Sequence, residues 1–367
     1  MSTPVTVPRL RRRGLVKNSD DIKRFQSIDA IFRKGKESSE KEFSPYFVRY
    51  HRRLFNEPDF LECVLKYVEW WSDVLNLANG DILDVGCGFG IYTMMFSFFG
   101  AREVHGIDHN AEKIAIFKKI LNSITPSFQN VIPALADGLK LNYDSGRFDA
   151  IFIKDVVSHV RDVRSFFDEM SRLLKPGGRI LITDENNALE FIGKMERRRK
   201  WHAWEEGGIK PEDVRGGEPV MTYLEMRRED ISTGFPEFDA VKMPGLKIIP
   251  LKKSGRDEII DVLAHMTKGL WGDGLIKGVR EILATGELRT KPEFPYCNPR
   301  TGEMMEREFN PLSLAKELSR HGFETRVIPP RFYTRKPLRN AIGVLIRHMH
   351  PVSIFIQPNF YILGRKQ

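Results

Sequence analysis

The sequence predicts an α/β fold, a parallel sheet covered on both faces by helices, and three observations carry that prediction. Short apolar runs alternate with amphipathic segments between residues 81 and 184. The segments between the runs are long enough for the helical crossovers that parallel strands require. A glycine-rich turn, Gly86-Cys-Gly88-Phe-Gly90, follows the first apolar run, where a strand would give way to a helix.

In chain order, residues 1 to 45 are polar and charged with no sustained period, and read as a frayed arm with one short helix. From Asp59 to Leu77 the apolar positions Phe60, Val64, Tyr67, Val68, Trp71, Val74 and Leu75 recur at three- and four-residue steps. That spacing predicts an amphipathic helix, stopped by Asn79-Gly80. Strands are expected at Asp81 to Val85, Glu103 to Ile107, Val131 to Leu135, Phe148 to Ile153 and Arg179 to Thr183. Between them, Ile91 to Phe99 forms a helix closed by Gly100, and Val163 to Leu174 one closed by Lys175-Pro-Gly-Gly178. The alternation breaks after Asp184 and resumes at Asn310-Pro311, an N-cap followed by proline at the first helical position. Phe323 to Ile328 and Ile354 to Leu363 are expected to finish the sheet, with Pro358 favouring an edge position or a shorter strand. The resulting division is a basic N-terminal arm (1–57), a core (58–187), an insertion between the fifth and sixth strands (188–308) and a C-terminal completion of the core with a basic tail (309–367). The 367 residues suit about two domains or one with a large insertion, and 41% hydrophobic residues suffice for a sizeable core.

The glycine turn is the sharpest motif. Glycine permits positive φ and lets a ligand approach the backbone closely. A dinucleotide fingerprint would place a third glycine three residues after the second. Ile91 stands there. Asp108, ending the second strand, would accept hydrogen bonds from ribose hydroxyls, and Asp137, after the third, from an exocyclic adenine amine. No phosphate-binding lysine follows the loop, so a nucleoside without phosphates fits best.

Taken together, the Asp84-x-Gly86-x-Gly88-x-Gly90 loop, Asp108, the Ala136-Asp137 pair and the Leu174-Lys-Pro-Gly-Gly178 turn resemble the class I S-adenosylmethionine-dependent methyltransferases. The resemblance covers about Gly80 to Asn187. It implies a Rossmann-like, seven-stranded sheet whose last strand is antiparallel, with S-adenosylmethionine as cofactor. On the same resemblance Asp84, Gly86 and Gly88 border the methionine portion, Asp108 the ribose and Asp137 the adenine; Gly90, His109 and Ala136 belong to the same site. The segment Asn298 to Glu303, the tail Gln357 to Arg365 and the Arg/Trp run are similar to bacterial methyltransferases associated with cell-surface saccharides.

Methyl transfer to a hydroxyl or amine needs alignment, exclusion of water and a base for the proton. The candidate bases follow the fourth and fifth strands: Asp155, His159, Asp184 and Glu185. His159 reads equally well as a packing or capping residue. His348-Met-His350 would share one face of a strand, but nothing nearby completes a metal site, so no metal is expected. Arg197, Arg198 and Trp201, in a run of guanidinium donors and aromatic rings, are the expected acceptor-binding residues of a lid, although a solvated helix with two buried tryptophans fits the run as well.

Charge and cysteine content frame the partners. Residues 1–53 hold 14 basic and 6 acidic residues, and 331–367 hold 7 basic and none acidic, so the two ends carry +8 and +7 against −6 between them. Basic ends either contact nucleic acid or an anionic membrane surface, or simply aid solubility. The three scattered cysteines Cys63, Cys87 and Cys297 exclude a disulfide scaffold. With no signal segment and no transmembrane run expected, the setting read from the sequence is cytoplasmic, with peripheral membrane contact open. The function expected is methyl transfer to a small-molecule acceptor, a saccharide or lipid-linked compound. The alternatives are methylation of RNA or protein, and a non-catalytic nucleoside-binding protein.

Overall fold

Every position of β1 (Asp81–Val85) is buried, because this strand lies at the centre of a seven-stranded sheet. The computed structural model describes Leu15, residues 18–57, 60–124, 128–160, 162–185, 187, 189–190, 309–331, 333 and 337–367, with short pieces at 221–222, 280–281, 284, 296–297 and 304–306. Around β1 stand β2 (Glu103–Asp108), β3 (Val131–Leu135), β4 (Phe148–Lys154) and β5 (Leu174–Asp184), all parallel. Beyond the insertion, where β6 (Met221–Thr222), β7 (Tyr296–Cys297) and β8 (Met304–Glu306) pair as a small sheet, come β9 (Phe323–Val327) and β10 (Phe360–Lys366). The large sheet runs β3-β2-β1-β4-β5-β10-β9. β10 is antiparallel to both neighbours, as the resemblance implies.

Alternation along the strands divides the core. Ile82, Val104, Phe152 and Leu181 face one helix layer; Leu83, Ile107, Ile153 and Ile182 face the other. The first layer holds α5 (Phe60–Leu75), α6 (Ile91–Phe96) and α7 (Ala111–Ile124), the second α8 (Val163–Leu173) and α9 (Pro311–Ser319). Asn310 caps α9 as its sequence predicts, accepting from the Leu312 and Ser313 amides with proline at the first position.

The N-terminal region departs from the expectation of a frayed arm. It contains α1 (Ser19–Arg33), α2 (Lys36–Glu42), α3 (Pro45–Tyr50) and α4 (Arg52–Asn56). A capping box from Asn18 and Asp21 starts α1. Phe25, Ile28, Ile31, Phe32 and Phe47 are buried there and join the core of the first layer. The apolar period is real but diluted by charge, so composition hid it.

The final strand also shifts. The run from Ile354 begins as a 3-10 turn (Val352–Phe355), and strand pairing starts only at Phe360, after Pro358, which has no N–H to give the ladder. His348 ends α10 (Pro337–His348) instead of lying on a strand, and His350 Nε2 sits 3.0 Å from the Val327 carbonyl oxygen, so the two histidines do not share a strand face. Among the described residues no helix is long and apolar enough to cross a membrane.

Both ends of the insertion are fastened to the sheet. Asn187 and Phe309 form a parallel bridge. The buried Asn187 amide donates to the carbonyls of Ile354 and Gln357, each at 2.7 Å.

Candidate functional site

The three glycines of the loop after β1 all have positive φ (72°, 57° and 77°), but each serves a different purpose. A Cβ on Gly86 would lie 2.1 Å from Val156 Cγ2, and one on Gly90 2.2 Å from the buried Phe117 ring. Those two let the loop pack onto the protein itself. A Cβ on Gly88 would meet only the Tyr50 hydroxyl, at 3.9 Å. Gly88 is therefore where a ligand can approach the backbone.

The acids hold this loop in shape. Asp108 is buried; its Oδ2 accepts from the Gly88 amide at 2.9 Å and its Oδ1 from the Asn110 amide at 2.8 Å. Asp84, also buried, accepts from the Thr93 hydroxyl at 2.6 Å. Burial pushes the Asp84 carboxyl up to about 7 against the Thr93 hydrogen bond, with the Asp108 charge adding to the rise. Ala136 donates its amide to the Asp108 carbonyl, which sets the β3 end beside the β2 end. Asp137 is exposed and accepts from the Leu139 amide, and His109 is exposed with Nδ1 3.8 Å from Asp108.

Across the loop, β4 ends in Lys154 and Asp155. Asp155 holds a positive φ of 52°, unusual for a residue with a side chain, and its amide donates to Thr183 on β5. Its Oδ2 contacts the Lys154 ammonium, while its Oδ1 is buried without a hydrogen-bond partner. Desolvation lowers the Lys154 pKa, but the charges of Asp155, Tyr92 and Glu185 outweigh it, so the ammonium is held well above its usual range. Val156 then packs against Gly86, tying this end of β4 to the glycine loop. His159 lies one turn on, exposed, its amide bonded to the Val156 carbonyl. Buried Asp184 accepts from the Ser158 amide.

Beside this cluster is a cavity of about 490 Å³ whose lining includes Tyr67, Trp71, Tyr92, Lys154, Glu185 and Tyr361. Tyr92 stands two residues beyond Gly90, so cavity and glycine loop share the start of α6. Asp155 and Glu185 both act on Lys154, and Glu185 lines the cavity, whereas neither Asp155 nor His159 is part of the lining. Arg197, Arg198 and Trp201 lie outside the described residues.

Sequence reasoning missed Lys154, Trp71 and Tyr50 as site residues. The signal for Lys154 was a charge closing the otherwise apolar strand end Ile151-Phe-Ile153. Tyr46 and Tyr50, one helical turn apart, face Lys113, whose ammonium lies 6.0 and 5.6 Å from their ring centres. The N-terminal helices thus place an aromatic pair over the glycine loop.

These residues fit a nucleoside: open backbone at Gly88 and buried acids at the ends of β1 and β2. Residues 83–182 match the family model described as a methyltransferase domain. The chain is 30% identical over 157 residues to a mitochondrial ubiquinone biosynthesis O-methyltransferase of Dictyostelium discoideum, covering 38% of this chain and 48% of that one. It is 30% identical over 135 residues to phosphoethanolamine N-methyltransferase 3 of Arabidopsis thaliana, covering 36% and 27%. A ubiquinone biosynthesis O-methyltransferase of Pelagibacter ubique is 29% identical over 210 residues, covering 54% and 80%. The chain thus spans about half the length of the first relative and about a quarter of the second. The matched methyltransferase domain runs from Leu83 in β1 to Ile182 in β5, through the loop and acids just described.

Proposed function

We propose that the protein transfers a methyl group from S-adenosylmethionine to a small-molecule acceptor. The observation that carries this reading is the cavity at the ends of β4 and β5, contiguous with the start of α6 and large enough for a small molecule. The names of the relatives point the same way, since they refer to ubiquinone biosynthesis and to phosphoethanolamine. S-adenosylmethionine supplies an electrophilic methyl when bound. The chain's own residues would hold the acceptor in line, exclude water and take its proton.

Gly86, Gly88, Gly90 and Asp84 would border the methionine portion, Asp108 and His109 the ribose, and Ala136 and Asp137 the adenine. Asp155, His159 and Glu185 are the proposed bases, of which Asp155 has the unsatisfied buried oxygen. Arg197, Arg198 and Trp201 are proposed to contact the acceptor from the insertion. A saccharide or a lipid-linked compound remains the finer proposal. Val344 and Leu345 on α10, exposed and followed by Arg347, support contact with an anionic lipid surface.

Transfer of labelled methyl from S-adenosylmethionine into a lysate, separated into small molecule, lipid, glycan, RNA and protein, tests the proposal. Label in the small-molecule or lipid fraction is expected. Label confined to RNA or protein would replace this reading with macromolecular methylation. Binding of the cofactor with no transfer to any fraction would favour a non-catalytic nucleoside-binding protein.

A further inference from the structure

The cavity beside Lys154 has a chemical bias. Its aromatic members pack mostly edge to face, Tyr67 against Tyr333 at 4.9 Å and 85°, and Trp71 against Tyr92 at 5.5 Å and 67°. Such walls suit a flat ring. Two hydrogen-bond donors line the cavity, one of them, Lys154, already in contact with Asp155 Oδ2 and the other without a partner. Lys154 is an ammonium at the end of an apolar strand, 5.8 Å from the centre of the Tyr92 ring. Trp71 is 2% exposed, and its indole N–H is buried without a hydrogen-bond partner. An indole N–H can only donate, so the group that would satisfy it must accept.

The charge balance agrees. Of the charged residues lining the cavity, Arg53 and Lys154 are cationic and Glu185 is anionic, and outside the lining Arg53 pairs with Glu57 and Lys154 with Asp155. A cationic amine in the cavity would face the Lys154 ammonium and leave the indole unsatisfied. An acidic oxygen would satisfy both.

We infer that this cavity is the acceptor pocket and that it takes a planar ring bearing an acidic hydroxyl, of the phenol class, with its oxygen held between Lys154 and Trp71. The inference rests on the methyltransferase reading and deepens it. Lys154 stabilises the oxyanion, which makes the hydroxyl a stronger acid. The hydroxyl proton passes to the free oxygen of Asp155. The oxygen lone pair forms the new C–O bond while the methyl–sulfur bond breaks, its electron pair staying on sulfur. Lys154 is an acceptor-orienting and activating residue in this scheme, and Trp71 a second donor to the same oxygen.

The test uses 4-nitrophenol as probe, because its phenolate is coloured and the protonation state of the bound form can be read directly. The full chain saturated with S-adenosylhomocysteine is titrated with 4-nitrophenol, with 4-nitroanisole, which lacks the acidic hydrogen, and with benzyltrimethylammonium. The expected result is 4-nitrophenol bound at least about tenfold more tightly than either competitor, with its apparent pKa lowered in the complex, as the loss of a charged hydrogen bond predicts. Lys154→Met abolishes the pKa shift and the preference, Lys154→Arg restores part of both, and Trp71→Phe weakens binding by several-fold with the shift retained. Equal or tighter binding of benzyltrimethylammonium, no pKa shift in the unsubstituted protein, or a shift that persists in Lys154→Met overturns the inference. Calorimetry with S-adenosylhomocysteine alone separates the two levels. If that nucleoside binds and 4-nitrophenol does not, the pocket assignment fails and the methyltransferase reading stands; if the nucleoside itself does not bind, the underlying reading fails.

Discussion

His51 gives the sharpest link between the N-terminal helices and the rest of the chain. Its ring lies among Phe32, Phe47, Tyr50 and Phe89, with centroids 4.7 to 6.0 Å away, and its Nδ1 is 3.2 Å from the Phe47 carbonyl oxygen. Burial pulls the imidazole from its ordinary 6.5 down to about 4, opposed only by that backbone hydrogen bond. The unfolded chain therefore takes up the proton first as pH falls. Stability is unaffected above about pH 6.5 and is lost progressively down to about pH 4. At about pH 4.5 the loss works out near ~2.5 kcal/mol, from 1.36 kcal/mol per unit of pKa and partial protonation of the folded state. His51→Leu removes the titrating group while keeping an apolar side chain. Urea unfolding at about pH 7 and about pH 4.5 should show the unsubstituted protein losing about 2.5 kcal/mol more than His51→Leu over that interval. Parallel losses would refute the reasoning.

The remaining predictions concern the loop and the chemistry. Gly90→Ala combines a positive φ with a contact to the buried Phe117 ring, and urea unfolding should show a cost of roughly 2 to 4 kcal/mol, against about 1 kcal/mol for Gly146→Ala, where φ is also positive but nothing lies within 4 Å. Asp108→Ala frees the amides of Gly88 and Asn110, and calorimetry should show S-adenosylhomocysteine affinity reduced by about tenfold or more; an unchanged affinity would remove Asp108 from the site. His159→Asn should lower turnover about 100-fold if His159 takes the proton, and should leave it nearly unchanged if Asp155 does. Truncating Arg197, Arg198 and Trp201 to Ala should raise the Michaelis constant for the acceptor alone, and a rise for the cofactor instead would move that segment away from the acceptor.

The sheet was legible because its signals are local. Ile82 to Val85, Val104 to Ile107 and Ile151 to Ile153 are largely apolar runs bounded by turns, the glycine loop marks where the first ends, and Lys175-Pro-Gly-Gly178 follows directly on the end of α8. What was not legible depends on residues far apart in sequence. The burial of Phe25, Ile28 and Phe32 comes from docking on the first helix layer, a contact that no composition count reveals. The opposite duties of Gly86 and Gly88 arise because Val156, seventy residues on, fills the space beside one and not the other. Lys154 lay next to the candidate base Asp155, but its place in a cavity lining emerges only when α5 brings Trp71 and Tyr67 alongside.

The bridge between Asn187 and Phe309 makes the long segment between them a replaceable cassette. Its two ends leave and re-enter the sheet side by side, with the Asn187 amide fastening the first of them to the Ile354 and Gln357 carbonyls. The entropy of closing such a span depends only weakly on its length, about 0.6 kcal/mol for each doubling. Lengthening, shortening or exchanging residues 188–308 thus leaves strand pairing between β5 and β10 nearly untouched. A lineage of such chains is free to change the length and content of that segment while the sheet it leaves and rejoins stays constant.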